Sequence, residues 1–145
     1  MEVLVIASDS AAGAALLSVL ARWGRHEVEP VTVAASRWKS ERQAKKAVRR
    51  AGPACVVDLR FTHLLAAGEP LQDLDCARSH WLAKACERSG ADYLLLSSAA
   101  VFSGTLPHPY RERETPDAPG PPGSLLAVVE AQVLAACSRA AVLRT

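Results

Sequence analysis

The stretch VLVIASDSAAGAALLSVLARWG, residues 3–24, decides the fold. Val3 to Ala7 is a short apolar run, the pattern of a strand buried on both faces. Residues from Ala11 to Trp23 then place apolar side chains at helical spacing, and Gly24 supplies a helix stop. Between the two lies a turn of small residues. A strand that passes through such a turn into a helix is the opening of an α/β unit.

The rest of the chain repeats the alternation. His26 to Val33 alternates and is rich in valine, which predicts a second strand. Ser40 to Ala51 predicts a helix with Ala44, Ala47, Val48 and Ala51 as its apolar stripe and Gly52-Pro53 as its end. Cys55 to Leu59 is a third strand. A loop around Gly68-Glu69-Pro70 leads into a helix from Leu71 to Ser89, closed by Gly90. Asp92 to Ser98 is a fourth strand, and residues 106–123, with six of the nine prolines, form an extended loop. Leu125 to Ser138 is a helix and Ala140 to Arg144 a final strand. The expected fold is one Rossmann-like α/β domain over residues 1–145, a doubly wound, mostly parallel sheet with helices on both faces. Ligands of such sheets bind at the carboxyl ends of the strands.

Composition excludes several classes. Half of the 145 residues are hydrophobic but only 5% are aromatic, so alanine, valine and leucine must build the core. Seventeen basic against fifteen acidic residues leave a net charge of +2, too little to argue for nucleic acid. Four cysteines without a C-x-x-C pair give no support to a metal site or to thioredoxin-like chemistry. No run approaches the roughly 18 apolar residues of a membrane span, and Met1 leads almost directly into a strand with no leader pattern. The expected location is the cytoplasm.

Two further stretches point to a family. LLLSSAAVFSGT (residues 94–105) is similar to a segment reading approximately I-S-T-D-Y-V-F-D-G-T, and HPYRERETPDAP (108–119) to a loop reading P-Y-x-E-x-D-x-P-x-P. VEAQVLAA and the closing AVLRT continue the match in order. On these residues the chain resembles the N-terminal part of the dTDP-4-dehydrorhamnose reductase family, within the extended short-chain dehydrogenase/reductases. The family's later, substrate-binding region has no counterpart in these 145 residues.

The resemblance implies NAD(P) as cofactor and assigns roles position by position. The family's G-x-x-G-x-x-G turn falls on Ala7, Ser10 and Gly13, so one glycine of three is kept. Glycines serve there because the turn needs positive φ and the backbone must approach a pyrophosphate closely. Ser10 is expected to put a side chain in the phosphate's path. Leu59-Arg60-Phe61 stand where the family has small residues flanking the cofactor, and are expected to fill that space; Arg60 is also a candidate phosphate contact. Arg37, just after the second strand, is a candidate for a 2′-phosphate.

Hydride transfer in this superfamily uses a tyrosine as proton donor, a lysine one helical turn later and a serine or threonine that orients the carbonyl. Only Ser98 matches. The tyrosine position is Pro122, followed by Gly123, and the lysine position is Leu126. Tyr93 and Tyr110 lie elsewhere in the chain. The resulting expectation is a nucleotide-sugar-reductase-like domain whose redox chemistry has been lost, with a binding, regulatory or scaffold role. The alternative is an active NAD(P)-dependent reductase or epimerase acting on a dTDP-4-keto sugar. The basic helix 40–51 and the C-terminal strand, as a sheet edge, are the candidate surfaces for a protein partner or for self-association.

Overall fold

The computed structural model describes residues 1–145. Glu2–Ile6 (β1) is followed by Ala11–Trp23 (α1), Glu27–Val31 (β2), Glu41–Ala51 (α2) and Cys55–Asp58 (β3). Arg60–Ala66 (α3), Asp73–Ser89 (α4), Asp92–Ser97 (β4), a 3₁₀ turn at Ala99–Val101, Gly123–Ala136 (α5) and Ala140–Arg144 (β5) complete the chain. The strands form one sheet in the order β2-β1-β3-β4-β5, with every neighbouring pair parallel. This is the Rossmann-like α/β architecture that the opening stretch predicts.

Alternation along the strands builds two cores. Leu4, Ile6, Val56, Tyr93 and Leu95 face α2, α4 and α5, where they meet Ala44, Val48, Leu82, Leu126 and Val133 in the larger cluster. Val3, Val5, Val57 and Leu59 point the other way and pack on Ala12, Leu16, Leu17 and Leu20 of α1. Helices therefore lie on both faces, α2, α4 and α5 on one, joined by the short α3 through Phe61, and α1 on the other.

The predicted boundaries shift where local hydrogen bonds decide. The second strand stops at Val31 rather than Val33, because the Val33 amide donates to Asp9 Oδ1 at 2.7 Å instead of to a ladder. The segment after the third strand, with no helix expected before Gly68, forms α3. The long helix starts at Asp73, two residues late, since the Gln72 amide donates to the Asp75 carboxylate in a reciprocal cap. Residues 106–122 are free of helix and strand, as expected. Asp117 anchors that segment, accepting from the Ser103 amide at 2.7 Å and the Ser103 hydroxyl at 2.8 Å. No helix is long and apolar enough to cross a membrane.

Candidate functional site at the carboxyl ends of the strands

The turn after β1 keeps one glycine of three, Gly13, and a positive φ at the first position. Ala7 adopts φ 63°, the only positive φ outside glycine, which a Cβ makes unfavourable. Its carbonyl accepts from the Ser10 amide at 3.0 Å and the Ser10 hydroxyl at 2.6 Å. Ser10 in turn accepts from the Gly13 amide at 3.1 Å, which caps α1. The Ser10 side chain is buried and turned inward to the cap. Gly13 is fixed by packing, since a Cβ there would run into the carbonyls of Ala7 and Ser8.

Two amides at the start of α1, Ala11 and Ala12, have no acceptor within the chain. They are the donors an anion would use at a helix N-terminus. Asp9 stands beside them, its carboxylate engaged by the Val33 amide. The sequence reading passed over this acid.

The end of β3 carries a dense set of side-chain contacts. Leu59 and Phe61 are both buried, Phe61 in the larger cluster and Leu59 against α1. Arg60, the candidate phosphate contact from sequence, is held by the Asp58 side chain of the same strand end. Its guanidinium folds back onto Asp58, Nε donating to Oδ1 at 3.0 Å and Nη2 to Oδ2 at 2.8 Å. Nη2 also meets Ser79 Oγ, and Nη1 donates to the Asp75 carbonyl at 3.3 Å. Asp58 further accepts from Ser79 Oγ at 2.8 Å and from Tyr93 Oη at 2.7 Å.

All four side chains of this cluster are nearly or wholly buried. Burial alone would raise the Asp58 carboxyl. The Arg60 charge and the donated hydrogen bonds outweigh it and hold the group below its ordinary value. Burial, and then the Asp58 charge, push the Tyr93 phenol well above its usual range. Tyr93 is therefore a neutral structural donor. The signal for this cluster was a carboxylate closing an apolar strand, CVVD, with an arginine two residues on.

Above the cluster opens a cavity of about 390 Å³, lined among others by Val33, Ser36, Arg37, His63 and Arg78, with Arg60 in its wall. Arg78 is tied down, Nε donating to the Trp38 carbonyl at 2.8 Å and Nη1 to Asp75 at 2.9 Å. Arg37 is exposed and has no carboxylate partner. Of the two arginines singled out from sequence, Arg37 is the one left open to an anion.

At the end of β4 the structure brings together the segments assigned to the reductase group. Ser98 is half-buried and accepts from the Ala100 amide at 3.1 Å, capping the 3₁₀ turn. Gly123 lies so close to that turn that a Cβ would collide with the Ala100 carbonyl. Pro122 is exposed at the head of α5, whereas Leu126 is sealed in the core. Neither side chain carries a titratable proton. Tyr110 stacks on Phe102 with ring centroids 4.2 Å apart and lines, with Ala99, Arg111 and Arg144, a second cavity of about 520 Å³. The Ser103 hydroxyl and the Gly104 amide, which donates at 3.0 Å, hold the Tyr110 phenol below its ordinary value. No group of three histidine, cysteine or acidic side chains is placed to hold a metal ion.

Comparison with known proteins agrees with this fold. The family model described as RmlD substrate binding domain matches residues 1–145. No curated protein sequence matches the chain. Among solved structures, a dTDP-4-dehydrorhamnose reductase from Clostridium acetobutylicum superposes with a TM-score of 0.80 at 19% identity, over 99% of this chain and 52% of that one. The Bacillus anthracis dTDP-4-dehydrorhamnose reductase, solved in complex with NADP, gives 0.78 at 17% identity over 99% and 52%. A Thermus thermophilus UDP-glucose 4-epimerase, in complex with NAD, gives 0.74 at 18% identity over 99% and 54%. The chain thus spans about half the length of each of these structures.

Proposed function

The chain belongs to the RmlD substrate binding domain family, and on that premise we propose that it binds the phosphate-bearing part of an NAD(P)-type dinucleotide without performing hydride transfer. One observation carries the reading. The strand ends keep anion-binding features, while the positions for the proton donor and its lysine are Pro122 and a wholly buried Leu126. The relatives in complex with NADP and NAD support a dinucleotide as the ligand class.

The residues present fit the phosphates better than the nicotinamide. The Ala11 and Ala12 amides and the helix dipole behind them suit a pyrophosphate. Arg37 at the cavity mouth suits a ribose phosphate, a preference for NADP over NAD. When bound, the dinucleotide would supply hydride chemistry. This chain's own Ser98 could orient a carbonyl, but no side chain at positions 122 or 126 could give the proton.

The test is a thermal-shift titration of the purified chain with NADPH, NADH and dTDP. A ligand at 100 times its dissociation constant stabilises a fold by about 2.7 kcal/mol. The expected result is stabilisation by NADPH more than by NADH, reduced to equality by Arg37→Ala, with no oxidation of NADPH in the presence of a 4-keto nucleotide sugar. Turnover that Ser98→Ala abolishes would establish the alternative, an active reductase. A cooperative melt unmoved by any of the three ligands would remove nucleotide binding altogether.

A further inference from the structure

Beyond the nucleotide site, the groove between β2 and α2 carries features that no bound dinucleotide explains. β2 is one edge of the sheet. Beside it α2 presents Arg42, Lys45, Lys46, Arg49 and Arg50, all exposed and none in an ion pair. The only acid of α2, Glu41, is taken by α4: Lys84 Nζ lies 2.8 Å from its carboxylate and Arg88 3.8 Å. On the strand side Glu2, Glu27 and Glu29 are exposed and equally without a cation. Between the two patches runs a groove of about 440 Å³ with Val31, Trp38 and Ala47 in its wall and Glu29, Lys46 and Arg50 on its rim.

Opposite charges thus face each other across one apolar groove and do not meet within the chain. We propose that this groove is a twofold self-association surface, occupied by the same groove of a second copy. A twofold axis through it places each copy's Glu29 against the other's Lys46 and Arg50, so one patch is complementary to itself. Head-to-tail stacking needs two separate patches; here acid and base share a single rim. Pro30 lies within the edge strand and lacks an N–H, which blunts extension of the sheet. The copies therefore meet through side chains over the groove, with charge setting their register. The opposite edge exposes Leu143 on β5, with Val128 and Leu134 on α5, each 52% accessible. Nothing charged there selects an occupant.

Sedimentation velocity on the 145-residue chain tests this. The expected result is a dimer at low salt that dissociates as salt rises. Glu29→Lys should weaken it about tenfold or more, and so should Lys46→Glu with Arg50→Glu. Combining all three reversals should restore the dimer, which a merely structural role for these exposed residues would not do. Leu143→Lys should leave it unchanged. A monomer at every concentration and salt, a dimer indifferent to Glu29→Lys, a triple variant that stays monomeric, or a dimer lost with Leu143→Lys would each overturn the proposal. Circular dichroism of each variant confirms that the fold persists; should Glu29→Lys not fold, the Lys46 and Arg50 reversals and the salt dependence decide.

Discussion

Asp58 is the residue on which the upper half of the sheet turns. Its carboxylate collects Arg60, Ser79 and Tyr93 from three other elements, and all of these groups are out of water. Asp58→Asn leaves the Arg60 guanidinium buried beside a neutral amide, a loss of about 3–5 kcal/mol, measurable by urea unfolding. Because the folded-state value of Asp58 lies below its unfolded one, its contribution is complete above the unfolded value. It is lost as pH falls through the folded one. Tyr93 works in the opposite sense. Its raised value adds stability that is present below the unfolded value, about pH 10, and lost as pH rises beyond it. Tyr93→Phe should cost about 1–2 kcal/mol near neutrality and flatten the alkaline limb of the stability curve. These partners lie 21 and 35 residues from Asp58 in sequence. The Asp58-x-Arg60 spacing is local and readable, but no local pattern links Ser79 and Tyr93 to it, so those two partners became legible only once the strands were in order. Gly13 was legible, because a tight strand-to-helix crossing forces the choice. Gly13→Ala should lower stability by about 3 kcal/mol, seen as a lower melting temperature, because two backbone carbonyls block the methyl.

Elements with strong punctuation were read correctly. Gly24, Gly52 and Gly90 end α1, α2 and α4, each in the left-handed conformation. Ser10 and Ser40 start α1 and α2 by accepting the amide three residues on. α3 has no such marks: seven residues, Leu59 at its head and no side-chain cap. It exists because Arg60 and Phe61 are held from below, a tertiary cause that periodicity does not carry. Ser10 shows how a cap and a binding loop compete for the same amide. Ser10→Gly should weaken α1 by only a few tenths of a kcal/mol. It frees the Gly13 amide for an anion, and NADPH affinity measured by calorimetry should rise about tenfold, the worth of one charge-assisted hydrogen bond. An unchanged affinity would mean that the turn does not receive phosphate.

At the scale of the whole molecule, the order of elements was open to reading from sequence because each apolar run is followed by a helix of the right period. The polar economy of the site was not. Leu59 packs against α1, Phe61 enters the larger cluster and Arg60 folds back onto Asp58, three different fates that the run of three letters does not distinguish. The coverage of the two sheet faces is also unequal. α1 alone packs on its side, leaving Leu94 and Leu96 half-buried and Leu143 exposed.

The parallel sheet has a kinetic consequence. Val3 pairs with Val28 on one side and with Cys55 on the other, and Tyr93 waits for Ala140. No two neighbouring strands are joined by a hairpin, so every pairing must close a long loop before any ladder rewards it. Such chains fold slowly. β1, the middle partner of the first two pairings, cannot be stapled in place until the third strand has emerged. Until Cys55–Asp58 is in place, β1 is paired on one side only, and its open ladder is the part of the folding chain most exposed to association with other chains.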